Sequence, residues 1–489
     1  MRILVTGATG YIGGRLAPRL VDAGHEVRIL VRDAARVRDV PWAKRVEVVT
    51  GDLSDAATLP AAFEGIDVAY YLVHAMGAGG DFERTELTSA RNVAAAAKAA
   101  GVKRIVYLGG LHPDVPLAQL STHLRSRAEV GEILIASGVP TAALQAGTVI
   151  GSGSASFEMI RHLTEVLPYM PAPKWVRNFI QPIAVRDVLY YLVAAASLPA
   201  EVNRTFDIGG PDVLRYGQMM NGYALEAGLR QRPIASLPVL TPWLASQWVN
   251  LVTPIPRQLA VPIIASLQYD CVASEHDIAD YIPDPEGGLT GYRKAVRLAL
   301  AKVRDGQVET SWQNAAIAGA PSNALPSDPD WSGHTVYTDL REQHSAASVD
   351  QLWEVVESIG GENGWYSFPL AWAVRGWLDK LVGGVGLRRG RRDARRLEPG
   401  DALDFWRVED IDRGHFLRLR AEMKVPGRAW LEMTTEADPQ GGSTYRQRAV
   451  FFPSGLGGRL YWYSILPFHG VIFSGMANQI TKSAERPVR

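Results

Sequence analysis

The chain has 489 residues, too many for one ordinary hydrophobic core, so two or three domains are expected. Its 51 acidic and 51 basic residues cancel, so nothing in the overall charge points to a general affinity for nucleic acid or an anionic membrane. A single cysteine, Cys271, excludes an internal disulfide framework and a cysteine-built metal site, and fits a reducing compartment. The first apolar run begins at residue 2 and leaves no room for a signal peptide, so a cytoplasmic location is expected.

Residues 2–5 are a short apolar run, followed at once by Thr6-Gly7-Ala8-Thr9-Gly10-Tyr11-Ile12-Gly13. A glycine loop between a strand and a helix lets the backbone turn sharply and approach a pyrophosphate, whose charge the helix N-terminus favours. Further strands are expected over 26–31, 46–49, 68–73, 104–109 and 141–146, with helices near 12–23, 84–100 and 122–137. Gly24, Gly101 and Gly138 close these helices. Such alternation predicts a doubly wound parallel α/β sheet with its ligand at the carboxyl ends of the strands.

A less regular part follows. Between Arg232 and Arg257 no charge occurs, yet Pro238, Pro242, Pro254 and Pro256 interrupt the run. A membrane-spanning helix needs about 20 continuous apolar residues, so a short buried helix is expected, with peripheral membrane contact as an alternative. The first domain should close with an amphipathic helix over 292–304, giving boundaries of 1–306, of which 151–306 form the substrate side. Residues 307–330 lose periodicity and gather Ser, Asn, Pro and Asp, as a linker does.

Composition then changes, eight of the thirteen tryptophans lying at or after Trp331. Strand-like segments over 402–411, 415–424, 428–436 and 443–452 are separated by turn residues and predict an antiparallel meander. A long helix is expected over 458–484, within a second domain spanning 331–489. Arg388 to Arg396 is the densest charge in the chain, readable as a phosphate or headgroup site or as a solvated loop.

The loop Thr6 to Gly13 resembles the TGxxGxxG signature of the short-chain dehydrogenase/reductase superfamily, in its extended and atypical branches. Asp52-Leu53 is similar to the pair that holds the adenine edge, and Leu72 to Gly77 to the segment along the nicotinamide ribose. Residues 181–188 and 206–211 resemble substrate-side signatures of extended members. The resemblance covers about residues 1–300 and implies that Gly7, Thr9, Gly10, Tyr11, Ile12, Gly13, Arg32, Asp52, Leu53, His74 and Ala75 bind NAD(P)H. Arg32 ends the second strand, where an acidic residue would select NAD, so NADP(H) is favoured over NAD(H); Asp33 beside it pulls the other way. The catalytic pattern departs from the family. Gly110 stands at the serine position, and the Tyr-x-x-x-Lys helix reads His123-Leu124-Arg125-Ser126-Arg127. His123 is the candidate general acid, because a free imidazole titrates near neutrality, or else a structural residue. Arg127 can bind ribose or phosphate but cannot relay a proton. His74 and His112 follow strands that approach the nicotinamide and are lesser candidates.

Residues 331–485 resemble the START/polyketide-cyclase helix-grip fold, and the uncharacterised domain fused behind atypical reductases, on motifs such as Gly364-Trp365-Tyr366, Asp404-Phe405-Trp406-Arg407-Val408 and Pro426-Gly427-Arg428-Ala429-Trp430. Trp365, Trp406, Trp430 and Trp462 either line a cavity there or form plain core. Three functions stay open. The chain is an NADPH-dependent oxidoreductase acting on a hydrophobic carbonyl or enone; a non-catalytic NADPH-binding sensor or assembly subunit, similar to NmrA-like regulators and the complex I accessory subunit; or a lipid or isoprenoid carrier. A hydrophobic small molecule is the expected ligand, nucleic acid is not, and a membrane surface or a protein complex is a possible partner.

Overall fold

The computed structural model describes residues 1–38, 40–74, 82–237, 249, 253, 255–304, 335–360, 365 and 396–486. The chain divides into two units, Met1–Gly333 and His334–Arg489. The expected linker over 307–330, Ala75, most of the apolar run between Arg232 and Arg257, and Arg388 to Arg395 lie outside the described residues.

In the first unit, strands β1 (Arg2–Thr6), β2 (Glu26–Val31), β3 (Glu47–Thr50), β4 (Val68–Tyr71), β5 (Arg104–Gly110), β6 (Thr141–Ala146) and β7 (Arg204–Ile208) form one sheet in the order β7-β6-β5-β4-β1-β2-β3. Every pairing is parallel, with Thr6 opposite both Leu30 and Tyr71. The order reverses at β1, so the carboxyl ends of β1 and β4 flank a crevice suited to a ligand. Ile3, Leu4 and Val5 are fully buried, as a central strand covered by helices on both faces requires.

Helix α1 (Gly13–Asp22) buries Leu16, Ala17 and Leu20, three positions on one helical face. Helices α2 (Phe82–Ala99) and α3 (Thr122–Ile135) pack beside each other, and Ser121 caps α3 by accepting from the Leu124 amide. These elements agree with the strands and helices expected from periodicity, to within a few residues at their ends. The region expected to be less regular carries further helices, among them α4 (Ala155–Val166), α5 (Val185–Ala195), α6 (Tyr216–Glu226), α7 (Arg257–Ser266) and α8 (Tyr292–Arg304). The two substrate-side signatures meet here. Gly210 N–H donates to Pro182 O at 3.0 Å, and Gln181 Nε2 donates to Gly210 O at 2.8 Å.

In the second unit, β8 (Tyr337–Ser345), β9 (Trp406–Asp412), β10 (Phe416–Ala421), β11 (Gly427–Ala437) and β12 (Ser443–Pro453) form an antiparallel sheet in the order β8-β12-β11-β10-β9, extended by Ala402–Leu403. Helix α9 (Val349–Glu357) and the long α10 (Gly455–Ala484) pack on it, α10 against β8 and β12. Strand β8 adds an edge that the meander did not anticipate. The four tryptophans are packed aromatic groups: Trp365 stacks on Phe405, Trp462 lies between Tyr337 and Phe451, Trp406 tilts against Phe405, and Trp430 Nε1 donates to Glu409 at 2.8 Å. Among the described residues no helix is long and apolar enough to cross a membrane.

Candidate active site

The crevice above β1 and β4 is a cleft of about 870 Å³. The glycine loop forms one end. Gly7 has φ +78°, and a side chain at Gly7 or at Gly13 would strike backbone, at 2.8 Å from Leu72 and 2.2 Å from Gly7 O respectively. Only glycine permits this close packing of loop on strand and helix. Helix α1 starts there with no side-chain cap at Ile12 and no acidic residue in its first turn, so no side chain of its own offsets the N-terminal dipole that faces the cleft. These features fit a dinucleotide pyrophosphate.

Gly7, Thr9, Gly10, Tyr11, Ile12, Gly13, Arg32, Asp52, Leu53, His74, His123 and Arg127 all line this one cleft. Asp33 does not. Its carboxylate accepts from the Ala35 amide at 2.9 Å and caps a short 3-10 turn. Asp52 accepts from the Ser54 amide and hydroxyl, which hold its carboxyl below the usual range with a smaller contribution from Arg32. Leu53 O accepts from Asn92 Nδ2 at 2.9 Å, tying the adenine-edge loop to α2. His112 lies apart, bonded to Pro113 O and Gln145.

Towards α3 the cleft is lined by a chain of polar groups. His74 Nδ1 bonds Glu86, which also accepts from the Ser126 hydroxyl. His74 Nε2 meets His123 Nε2 at 3.0 Å, and His123 Nδ1 meets Ser266 Oγ at 2.9 Å. The two imidazoles lie nearly parallel, 16° apart, with their centroids 5.1 Å apart and their Nε2 edges facing each other. The near-neutral titration expected of His123 is overturned here: burial, then the His74 ring and Arg127, hold it well below the ordinary value. His74 is lowered too, by burial and Arg127 against the opposing pull of Glu86.

Arg127 Nη2 donates to Leu108 O at 2.5 Å, and a side chain at Gly110 would lie 3.3 Å from Arg127 Nε. The guanidinium thus occupies the space beside the position where the superfamily carries serine. Tyr107 gives its hydroxyl to Arg127 O, and burial pushes that phenol up to about 12. Cys271 also lines the cleft, and burial pushes its thiol up to about 12.

Three of these residues escaped the sequence reading. Glu86 had a signal: it precedes Ala90, Val93 and Ala97 in helical phase, so the buried face of α2 carries a carboxylate at 5% exposure. Ser126 and Ser266 had none, being hydroxyls without a motif.

Residues 7–149 match the family model described as NAD(P)H-binding, and residues 331–476 match one described as a protein of unknown function, DUF2867. The chain is 30% identical over 236 residues to an NAD(P)H azoreductase of Xenophilus azovorans, covering 48% of this chain and 76% of that one. It is 33% identical over 218 residues to a (4-alkanoyl-5-oxo-2,5-dihydrofuran-3-yl)methyl phosphate reductase of Streptomyces griseus, covering 43% and 69%. A ceramide reductase of Caulobacter vibrioides is 28% identical over 306 residues, covering 60% and 93%. With its parallel sheet, its glycine cradle and these relatives, the chain belongs to the NAD(P)H-binding, reductase-like Rossmann family of atypical short-chain dehydrogenases/reductases.

Proposed function

We propose that the protein is an NADPH-dependent reductase of a hydrophobic carbonyl or enone compound. The observation that carries this reading is the make-up of this cleft. It is lined by the glycine loop and Arg32 and also by the apolar Ile180, Leu259, Ile263 and Leu267, of which Ile263 and Leu267 flank in sequence the Ser266 that bonds His123. A reduced dinucleotide held by the loop would supply the hydride, and the apolar side chains would seat the acceptor away from water. That the relatives include an azoreductase and a ceramide reductase supports reduction of apolar substrates.

Arg32 supports NADPH over NADH. It is exposed at the end of β2, it lines the cleft, and the neighbouring Asp33 spends its carboxylate on a cap. A charge-assisted bond to a 2′-phosphate contributes roughly 1.5–3 kcal/mol, a preference of about ten- to a hundredfold. We read the second unit as a helix-grip domain of START type, on the strength of its antiparallel sheet and the long α10 laid along it. The test is oxidation of NADPH by the purified full chain against a panel of apolar ketones, enones, quinones and azo dyes. The reading expects acceptor-dependent loss of NADPH absorbance with at least one class. No oxidation with any class, in protein that binds NADPH, would remove the reductase reading.

A further inference from the structure

We propose that Ser266 is the terminal proton donor of this site, reloaded through His123 and His74 from a proton that His74 shares with Glu86. The inference rests on the reductase reading and gives the site the donor that the missing Tyr/Lys pair leaves unassigned.

The order follows from counting hydrogens. The Ser266 hydroxyl donates to Pro262 O at 2.9 Å within α7, so Ser266 Oγ accepts from His123 Nδ1–H. A neutral His123 then presents a lone pair at Nε2, which accepts from His74 Nε2–H. With that hydrogen committed, the bond between His74 Nδ1 and Glu86 needs one more proton, held on the nitrogen or on the carboxyl oxygen. Ser126 donates to the other Glu86 oxygen and fixes the carboxyl plane. Burial keeps His123 neutral, as this order requires.

Reduction of a carbonyl takes up one hydride, from NADPH under that reading, and one proton. The Ser266 hydroxyl turns from Pro262 O to the oxyanion and gives up its proton. His123 Nδ1–H then moves to Ser266 Oγ, and His74 Nε2–H moves to His123 Nε2. His74 is left with a hydrogen at Nδ1 facing the Glu86 carboxylate. The chain loses one proton and the product gains it; solvent restores it after release. Among the described residues, the charged and titratable groups around the relay are Arg127 on α3, Glu86 on α2, and Tyr71 and Tyr107 on the sheet, whose phenols burial keeps protonated. Helix α7 brings Ser266 but no acid or base among its described side chains.

Two measurements test this. Nitrogen-15 NMR of histidine-labelled full chain at neutral pH should find His123 with hydrogen on Nδ1 and none on Nε2. The opposite tautomer, or a doubly protonated ring, would overturn the relay whether or not the protein turns over. In NADPH-dependent reduction of 9,10-phenanthrenequinone, Ser266→Ala should lose about 100-fold in kcat with NADPH affinity kept, and Ser266→Thr should restore it. Glu86→Gln should need a lower pH than wild type to reach its plateau, because the carboxylate that retains the shared proton is gone. Unchanged kcat in Ser266→Ala, beside an active wild type, would overturn the proposal. An inactive wild type with the predicted tautomer would count against the reductase reading instead.

Discussion

Replacing Gly13 by alanine should abolish tight NADPH binding through a backbone collision that can be sized from the structure. The added Cβ would lie 2.2 Å from Gly7 O, 2.7 Å from Gly7 C and 2.9 Å from Ala8 Cα. A carbon meets a carbonyl oxygen comfortably at about 3.3 Å, so the loop must give way by about 1 Å. Gly7 has little room to retreat, because its own side-chain position is 2.8 Å from Leu72 backbone and its carbonyl accepts from the Gly10 amide at 2.9 Å. Overpacking of this kind costs about 1–3 kcal/mol of stability. Disrupting the charge-assisted bonds to a pyrophosphate costs a further ten- to hundredfold in affinity, roughly. Gly24→Ala is the control. Gly24 has φ +86° with nothing within 4 Å, so it carries only backbone strain of about 1–2 kcal/mol. Urea denaturation and NADPH fluorescence titration of both variants separate the effects. Both should lose stability, and only Gly13→Ala should lose affinity. Equal NADPH dissociation constants for the two variants would refute the cradle argument.

Arg32→Ala should weaken NADPH about ten- to a hundredfold while leaving NADH nearly unchanged, as read by parallel titrations; equal losses would remove the phosphate contact. Acid should destabilise the first unit through His123, whose folded value burial holds well below the ordinary 6.5. Its stabilisation is present above about pH 6.5 and is lost as pH falls, because the unfolded chain takes up protons first. The imidazole contributes at most about 1.4 kcal/mol per pH unit, and His123→Gln should flatten the slope measured by denaturation between about pH 7 and 5. An unchanged slope would contradict a buried neutral His123. Cys271, held near 12, should react with iodoacetamide in the native protein on the order of a thousandfold more slowly than in urea. Equal rates would mean an open, ordinary thiol.

The nucleotide half was legible because its signals are local. The apolar runs before Gly7 and over 26–31 announce strands, and glycines spaced at 7, 10 and 13 need no long-range information. The helices over 82–99 and 122–135 declare themselves by period. Strand β8 is different: Tyr337–Ser345 is rich in charge, so its alternation in burial carries no hydrophobic pattern and only its pairing with β12 reveals it. Strand β7 hides inside the stretch over 206–211 that resembles a family signature, and only its pairing with β6 shows Phe206 and Ile208 to be buried strand positions.

The site divides in the same way. The glycine loop, Arg32, Asp52, Leu53, His74, His123 and Arg127 could be named from sequence, and they line the cleft; His112 could be named as well but lies apart. The relay could not, because it joins residues 74, 86, 123 and 266 from four separate segments. Sequence spacing paired His123 with Arg127 on one helical face, which holds, but the chemical partners of His123 come from elsewhere. A free imidazole titrates near neutrality, and only burial beside His74 and Arg127, which no sequence pattern announces, holds His123 well below that value.

The central claim is that this cleft holds a phosphorylated dinucleotide, and native mass spectrometry of the full chain with NADPH and NADH at equal concentration tests it most directly. The account predicts a dominant adduct of one NADPH per chain, sharply reduced in Gly13→Ala. No dinucleotide adduct, or an NADPH adduct that survives Gly13→Ala undiminished, would contradict it.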